Sequence, residues 1–176
     1  SLFLLGATAA SGGADIAPAG TLTYVPAVGF AGVDSFTVQV SDGAATATRT
    51  ITVAVTPEQP GAPDLAGAAD TGADPLDNVT AASTLAFTGT SAVGDSASTV
   101  RVFVDTDGDG AYDVGEATGT AIVANGGWTV GGIDASGLGN GSHAVHAVVT
   151  SATGGLSSTV GAFTSVTIDR DAPTAA

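Results

Sequence analysis

Residues 35–55 read SFTVQVSDGAATATRTITVAV, and this stretch decides the fold class. Apolar side chains alternate with polar ones over 36–40 and again over 51–55. Successive side chains of a strand point to opposite faces, so each run predicts a strand with one buried face and one solvent face. Between the runs, Ser41-Asp42-Gly43 has the composition of a hairpin turn. The stretch therefore predicts an antiparallel β-hairpin.

The rest of the chain repeats this theme of short strands and glycine turns. Leu22 and Tyr24 mark an earlier strand, and 26 glycines with abundant Thr and Val disfavour long helices. Short strands at such spacing are typical of a β-sandwich of about 100 residues. Further strands are predicted at 84–90, 98–105, 118–124, 127–133, 142–151 and 161–169. The predicted fold class is all-β.

A proline-rich segment divides the chain into two units. Residues 57–63 read PEQPGAP, and prolines cannot donate to a sheet ladder and extend the backbone. We expect one unit over 1–57, a linker over 58–63 and a second unit over 64–173. The apolar start, Ser1–Ala10, lacks a basic region and is short, so we expect a strand there rather than the end of a signal peptide.

Charge and composition exclude several classes of function. The chain has 17 acidic residues against three arginines and no lysine, a net charge of −14, which disfavours nucleic acid and anionic membranes as partners. No apolar run approaches the roughly 20 residues of a membrane-spanning helix, so no membrane insertion is expected. With no cysteine, a secreted chain needs another staple, and divalent cations are one. Nucleophile and phosphate-binding motifs are missing, and aromatics are few, so we do not expect an enzyme.

One twelve-residue segment, Asp105 to Glu116, fits the calcium-loop pattern D-x-D-x-D-G-x5-E. Calcium takes six to eight oxygen ligands, and Gly110 permits the sharp turn that aims them inward. Strand-like alternation precedes the loop, so it is predicted in a β context and not between two helices. The alternative is an acidic turn without metal, in which five carboxylates repel one another. The predicted Ca²⁺ ligands are Asp105, Asp107, Asp109, the Ala111 carbonyl, Asp113 and Glu116.

Other polar residues cluster near the ends of the second unit. Asp70, Asp77 and Asn78 open it, and Asp169 and Asp171 close it. Carboxylates at a junction between repeats could share a calcium ion, whereas the alternative is a solvated loop of Asx turns.

Three further side chains receive a structural interpretation. His143 and His146 are three residues apart on a predicted strand, so they face opposite ways and cannot chelate one metal ion. Both are predicted at the surface or at a sheet edge. Trp128, the single tryptophan, is predicted in the core.

The residues of the two units resemble known repeats. Gly20–Phe36 (GTLTYVPAVGFAGVDSF) with Val40-Ser41-Asp42-Gly43 resembles the bacterial cadherin-like repeat of giant surface proteins, over about 16–56. The second unit resembles the bacterial Ig-like repeats of large RTX-type and biofilm adhesins, over about 64–173. Its matching pieces are Asp70-Thr-Gly, Asp77-Asn78-x-Thr80, Phe87-Thr-Gly89-Thr, Gly127-Trp128-Thr, Gly141-Ser-His143 and Val166-Thr-Ile-Asp169-Arg-Asp171-Ala-Pro173.

The resemblance implies two tandem Ig-like or cadherin-like β-sandwiches, the first incomplete because the cadherin-like unit is longer. An open sandwich edge follows from that. It also implies export to the cell surface and calcium at repeat junctions, with Asp70, Asp77, Asp169 and Asp171 as ligands. Thr150–Gly155 departs from the Asp and Gly-Asn pattern of the family, which puts any ligand from there in doubt.

These observations lead to three hypotheses of function. The first is a calcium-rigidified structural or adhesive segment of a long extracellular bacterial surface protein, whose partners are neighbouring repeats of the same chain. The second is a subunit of a filament or surface layer, in which copies of the chain exchange strands at the incomplete first unit. The third is a module that binds carbohydrate or protein on a host or biofilm surface.

Overall fold

The computed structural model describes residues 3–17, 20–92 and 97–171, and within them every regular element is a β-strand. This confirms the predicted all-β class. Ser1 and Leu2 of the predicted first strand, and residues 172–173 of the predicted second unit, lie outside the described residues.

The described residues of the first unit form five strands in two small sheets. Antiparallel β1, β4 and β5 form one sheet, and β2 and β3 form a separate hairpin. The β4–β5 register runs without a shift from Gly32↔Val55 to Ser41↔Thr46, and Asp42 Oδ1 accepts hydrogen bonds from Ala44 N and Ala45 N in the turn. The predicted hairpin is confirmed. The strands are β1 Phe3–Ala9, β2 Gly12–Ile16, β3 Leu22–Pro26, β4 Gly32–Ser41 and β5 Thr46–Val55.

A small polar network reinforces the thin core of this unit. Phe36 and Val38 are its buried apolar side chains among the described residues, and Tyr24 stacks on Phe36 with ring centroids 5.6 Å apart. The Tyr24 hydroxyl donates to Asp34 Oδ2 at 2.7 Å, and Ser11 N donates to the same oxygen at 3.1 Å. The buried carboxylate thus joins the β1–β2 turn, β3 and β4. The Tyr24 hydrogen bond is the main reason that the pKa of Asp34 falls below its usual value.

This network predicts alkaline unfolding of the first unit. Burial, then the hydrogen bond from Tyr24 and the charge of Asp34, raise the pKa of Tyr24 from 10.0 to about 12. Because the folded state favours the neutral phenol, this stability is present below pH 10 and is lost as the pH rises toward 12. Ultraviolet titration of phenolate in a Tyr112→Phe background measures it. Asp34→Asn should lower the pKa only part of the way, because burial remains. A Tyr24 pKa near 10 in the Tyr112→Phe protein, with Asp34 intact, would contradict the network.

The second unit is a larger sandwich. Its five-stranded sheet has the order β10-β9-β12-β13-β7, and the sheet opposite has the order β11-β8-β6. All pairs are antiparallel except β13–β7. The strands are β6 Asp64–Leu65, β7 Val79–Thr80, β8 Thr84–Thr90, β9 Thr99–Asp105, β10 Thr118–Ile122, β11 Gly127–Asp134, β12 Gly141–Thr150 and β13 Thr164–Ile168.

One apolar core fills the space between these two sheets. Trp128 is 5% exposed and packs within it, which confirms its predicted position. The predicted strands recur within a few residues, but the last begins at Thr164 and not at 161, and Gly161 ahead of it makes one hydrogen bond to β12, from its N to Ala147 O. The core is built from Leu85, Phe87, Val100, Val102, Val104, Val130, Ile133, Val145, Ala147, Val149, Val166 and Ile168, with smaller contributions from neighbouring residues.

Strand register assigns the loops of the second unit to two opposite ends. Along the β9–β12 pair, Thr99↔Thr150 lies at one end and Asp105↔Ala144 at the other. The linker reaches the first of these, where Gly61 N donates to Thr90 O, and we call it the junction end. The other, which contains Asp105 and the close of β13, is the far end.

Candidate metal centre

The predicted calcium loop connects two antiparallel strands at the far end. β9 ends at Asp105, and β10 begins at Thr118, which pairs with Phe103. The loop is therefore a long hairpin connection with strands on both sides. This is the β context that the sequence predicts.

The first three predicted ligands converge. One carboxylate oxygen from each of Asp105, Asp107 and Asp109 lies within 4.8 Å of the other two. Two oxygens bound to one calcium ion at 2.3–2.6 Å can be no more than about 5 Å apart, so this spacing fits the ion. Asp105 is buried, whereas Asp107 and Asp109 are exposed. The site therefore has one carboxylate held in the protein interior and two on the solvent side.

Backbone donors hold Asp105 in this position. Its two oxygens accept hydrogen bonds from Gly108 N at 2.6 Å and Gly110 N at 2.9 Å. Gly108 and Gly110 have φ of 82° and 74°, a left-handed conformation that suits glycine. The local sequence thus coils the chain around the first carboxylate. A carboxylate oxygen has more than one lone pair, so these bonds leave room for a cation.

Glu116 closes the loop from its other end. Its Oε1 accepts a hydrogen bond from Thr106 N at 2.8 Å, and its Oε2 accepts one from Asp113 N at 3.0 Å. The side chain is 9% exposed. Glu116 and Asp113 do not share the mutual spacing of the three aspartates. Their roles as ligands, and that of the Ala111 carbonyl, stay predictions.

The field in the loop is strongly negative. This field raises the pKa of the exposed Asp113 carboxyl. The largest cause is the charge of Asp109, followed by burial and then by the charges of Asp107, Glu116 and Asp105. Burial works to raise the pKa of Asp105, but its backbone donors and His146 outweigh burial and lower the pKa. A divalent cation would neutralise the charge that raises the pKa of Asp113.

Sequence reasoning missed the aromatic support beneath the loop. Tyr112 packs edge-on against Phe103, and the Arg101 guanidinium lies 4.3 Å from the centre of the Tyr112 ring. His146 is half-buried, stacks on Phe103, and places Nε2 3.6 Å from Asp105 Oδ2. His146 thus lies beside the loop on the central strand β12, and the prediction of a position at the surface or at a sheet edge is wrong for it. The odd spacing between His143 and His146 predicts that they face opposite sides of the strand, but it does not predict that His146 lies beside Asp105.

The second predicted ligand set forms pairs at the far end. Asp70 Oδ2 accepts from Asn78 N at 3.2 Å, and Asp169 Oδ1 accepts from Asp171 N at 3.1 Å. Asp77 Oδ1 accepts from Val79 N, which makes an Asx turn before β7. Asp70 is 7% exposed, and its Oδ1 is buried without a hydrogen-bond partner. No three acids of this set share the mutual spacing of the loop aspartates within the described residues.

Arg170, for which the sequence predicts no role, ties the loops of the far end together. Its Nη1 donates to Leu138 O at 2.7 Å, and its Nη2 donates to Ala82 O and Ala135 O at 3.1 and 3.0 Å. These carbonyls belong to two different connections between strands. The guanidinium therefore holds the surface around Asp169 and Asp171 in one arrangement.

Comparison with known families agrees with the sandwich architecture. The sequence profile of the bacterial Ig-like domain matches residues 56–170, which is most of the chain. The chain belongs to the bacterial Ig-like domain family. A second profile, that of the bacterial Ig domain, matches residues 1–56. No curated protein gives a significant match.

Bacterial Ig-like domains are typically non-catalytic structural modules, and they commonly occur in extracellular surface proteins. Two such domains follow one another here, which is the arrangement of a repeat module. The described residues contain no helix that could cross a membrane.

Proposed function

We propose that the chain is a calcium-stabilised structural segment of a bacterial surface protein, acting as a spacer in an array of repeats. The convergence of Asp105, Asp107 and Asp109 on the scale of one calcium ion is the observation that supports this most. Extracellular calcium suits weak modular sites with dissociation constants of about 10⁻⁴–10⁻³ M. Such a segment stays less stable in a calcium-poor cytosol and becomes stable after export.

The far end is where a neighbouring repeat of the same chain would stack. Loop carboxylates and the pairs Asp70–Asn78 and Asp169–Asp171 lie at this end, and Asp70 Oδ1 lacks a donor. A second cation between these pairs and the neighbouring repeat would satisfy that oxygen. As part of this function we propose that the first unit is related to cadherin-like repeats and the second to the repeats of RTX-type adhesins. We also propose that the chain is displayed in a biofilm.

Thermal unfolding in calcium and in chelator tests this function. Calcium bound only by the folded state adds RT ln(1 + [Ca²⁺]/Kd), about 2.7 kcal/mol at one hundred times Kd. We expect the melting temperature of the second unit, followed by Trp128 fluorescence, to rise by roughly 10 °C in saturating calcium. An equal melting temperature in chelator would leave the acids as a solvated surface.

A second candidate function, assembly of copies into a filament or surface layer, is favoured by the free edge of β5. This strand has ten residues and pairs only with β4 among the described residues, and Ile51 on it is 37% exposed. No bulge and no proline blunts this edge, so it can accept another strand. Thr48→Lys/Thr50→Lys places charge there and should abolish oligomers seen by light scattering. A wild-type chain that stays monomeric at high concentration argues against assembly.

A module that binds carbohydrate or protein remains the third alternative. The described aromatic rings on the outer face of the five-stranded sheet pack mainly on one another, and Phe163, 59% exposed, is the ring most open to solvent. Binding hot spots are enriched in Trp, Tyr and Arg, and one exposed Phe makes a small surface for recognition. A glycan array without hits would remove this alternative.

A further inference from the structure

At the junction end, the first unit packs against the second at two glycines, one in each unit. A methyl group at Gly32, where β4 begins, would lie 2.0 Å from Thr153 Oγ1 and 2.8 Å from Thr153 O. A methyl group at Gly154 would lie 2.4 Å from Val33 Cγ2. The backbone of one unit therefore lies against a residue of the other at both positions, Gly32 against Thr153 and Gly154 against Val33, and an added side chain would have to displace it. We call these two contacts the interlock.

The proline-rich segment between the units is a packed strap. Pro57, Pro60 and Pro63 are all buried, and residues between them are more exposed. An extended polyproline conformation has three residues per turn, so every third residue lies on one side. Buried prolines at this spacing show that the segment lays one side on the protein. Prolines also restrict the unfolded linker and thereby lower the entropic cost of holding this shape.

Contacts on both sides fix the strap to the second unit. Gln59 Nε2 donates to Val160 O at 2.5 Å, and Gly61 N donates to Thr90 O at 3.0 Å. A methyl group at Gly161 would lie 2.8 Å from Pro60 O, so the segment after β12 also approaches closely. The strap thus contacts the end of β8 on one side and the segment between β12 and β13 on the other.

None of these contacts uses a carboxylate, and the candidate metal centre lies at the opposite end of the second unit. We propose that the interlock and the strap hold the two units in one orientation without metal. Calcium then acts on the loop and the far end, and not on this junction. The sequence led to the expectation that calcium fixes the angle at junctions; for this junction the packing takes that role. The proposal holds whether or not the loop binds calcium.

Spin labels on the two units test this directly, because the chain has no native cysteine. Thr48→Cys in β5 and Thr120→Cys in β10 place one label on each unit at exposed positions. Pulsed electron resonance then gives the distribution of distances between them, in calcium and in chelator. We expect one narrow distribution with the same mean in both conditions.

Glycine substitutions with matched backbone controls complete the experiment. Gly32→Ala and Gly154→Ala should each abolish the single narrow peak in both conditions. Gly141 shares the φ of Gly32, 130°, and Gly155 at 62° resembles Gly154 at 80°, but a methyl group at either control meets nothing within 4 Å. Gly141→Ala and Gly155→Ala should keep the peak. Trp128 fluorescence verifies that the second unit is folded in each variant.

Three results would overturn the proposal. A distribution that is narrow in calcium and broad in chelator would show that the metal sets the angle, with the calcium function intact. A wild-type distribution that is broad in both conditions would show that the units are not locked at all. Interlock variants that keep the peak, or controls that lose it, would show that the glycine contacts do not hold the units. Because Gly154 lies on the second unit, whose folding Trp128 reports, Gly154→Ala decides the matter if Gly32→Ala unfolds the first unit.

Discussion

Gly89→Ala destabilises the second unit by about 3 kcal/mol, near the upper end of the usual cost of overpacking a core. A methyl group at Gly89 would lie 2.1 Å from Trp128 Cζ2 and 2.5 Å from Cη2. The two residues are cross-strand partners in β8 and β11, and the indole covers the glycine. Because the ring is buried in the core, it can move only by displacing its neighbours. Denaturant unfolding followed by Trp128 fluorescence measures the loss.

Gly131→Ala is the matched control, on the same pair of strands. A methyl group there would lie 3.9 Å from the Ala86 methyl group, an ordinary contact, and Gly131 is exposed. This variant should be within about 0.5 kcal/mol of wild type, as for most surface substitutions. Equal stability of the two variants would mean that the indole does not depend on the absence of a side chain at Gly89.

Local patterns in the sequence were sufficient to predict the longer strands. Alternation over 36–40 and 51–55 gives two strands because burial on one face requires a period of two. By contrast, β6 and β7 have two residues each, too few for any period to show. They form because Leu65 and Thr80 find partners in distant strands. Pairing of this kind depends on the tertiary fold and not on local preference.

The residues of the candidate metal centre also divide into those that the sequence predicts and those whose contacts depend on the tertiary fold. Asp105, Asp107, Asp109 and Gly110 are close in sequence, so their convergence could be predicted from spacing alone. His146 reaches the loop through the β9–β12 register, and Arg170 reaches three carbonyls more than 30 residues away. The residues next to His146 and Arg170 in the sequence do not indicate these contacts.

The junction between the units shows a different limit. The prolines at 57–63 predict a boundary, and stiffness follows from their fixed φ. Their burial, and the close approach of Gly32 and Gly154 to the other unit, depend on surfaces that meet only after both units fold. Glycines in loops have many possible causes, so their role in packing was not predictable.

The second large effect is the response of the calcium loop to loss of charge. Asp107 Oδ1 accepts a hydrogen bond from Asp109 N, and Asp109 Oδ1 accepts one from Ala111 N. Asparagine keeps an oxygen in each place, so Asp107→Asn/Asp109→Asn removes two charges and preserves these bonds. In chelator the variant should equal or exceed wild type in stability, because Asp109 and Asp107 are sources of the repulsion on Asp113. In calcium it should lack most of the roughly 10 °C gain expected for the wild type.

Four melting curves, wild type and Asp107→Asn/Asp109→Asn in saturating calcium and in chelator, test the account most directly. A calcium-stabilised segment predicts a reversal of order: wild type melts higher in calcium, and the variant melts at the same temperature or higher in chelator. Parallel shifts of both proteins, or no shift of wild type with calcium, would contradict the loop as a calcium site.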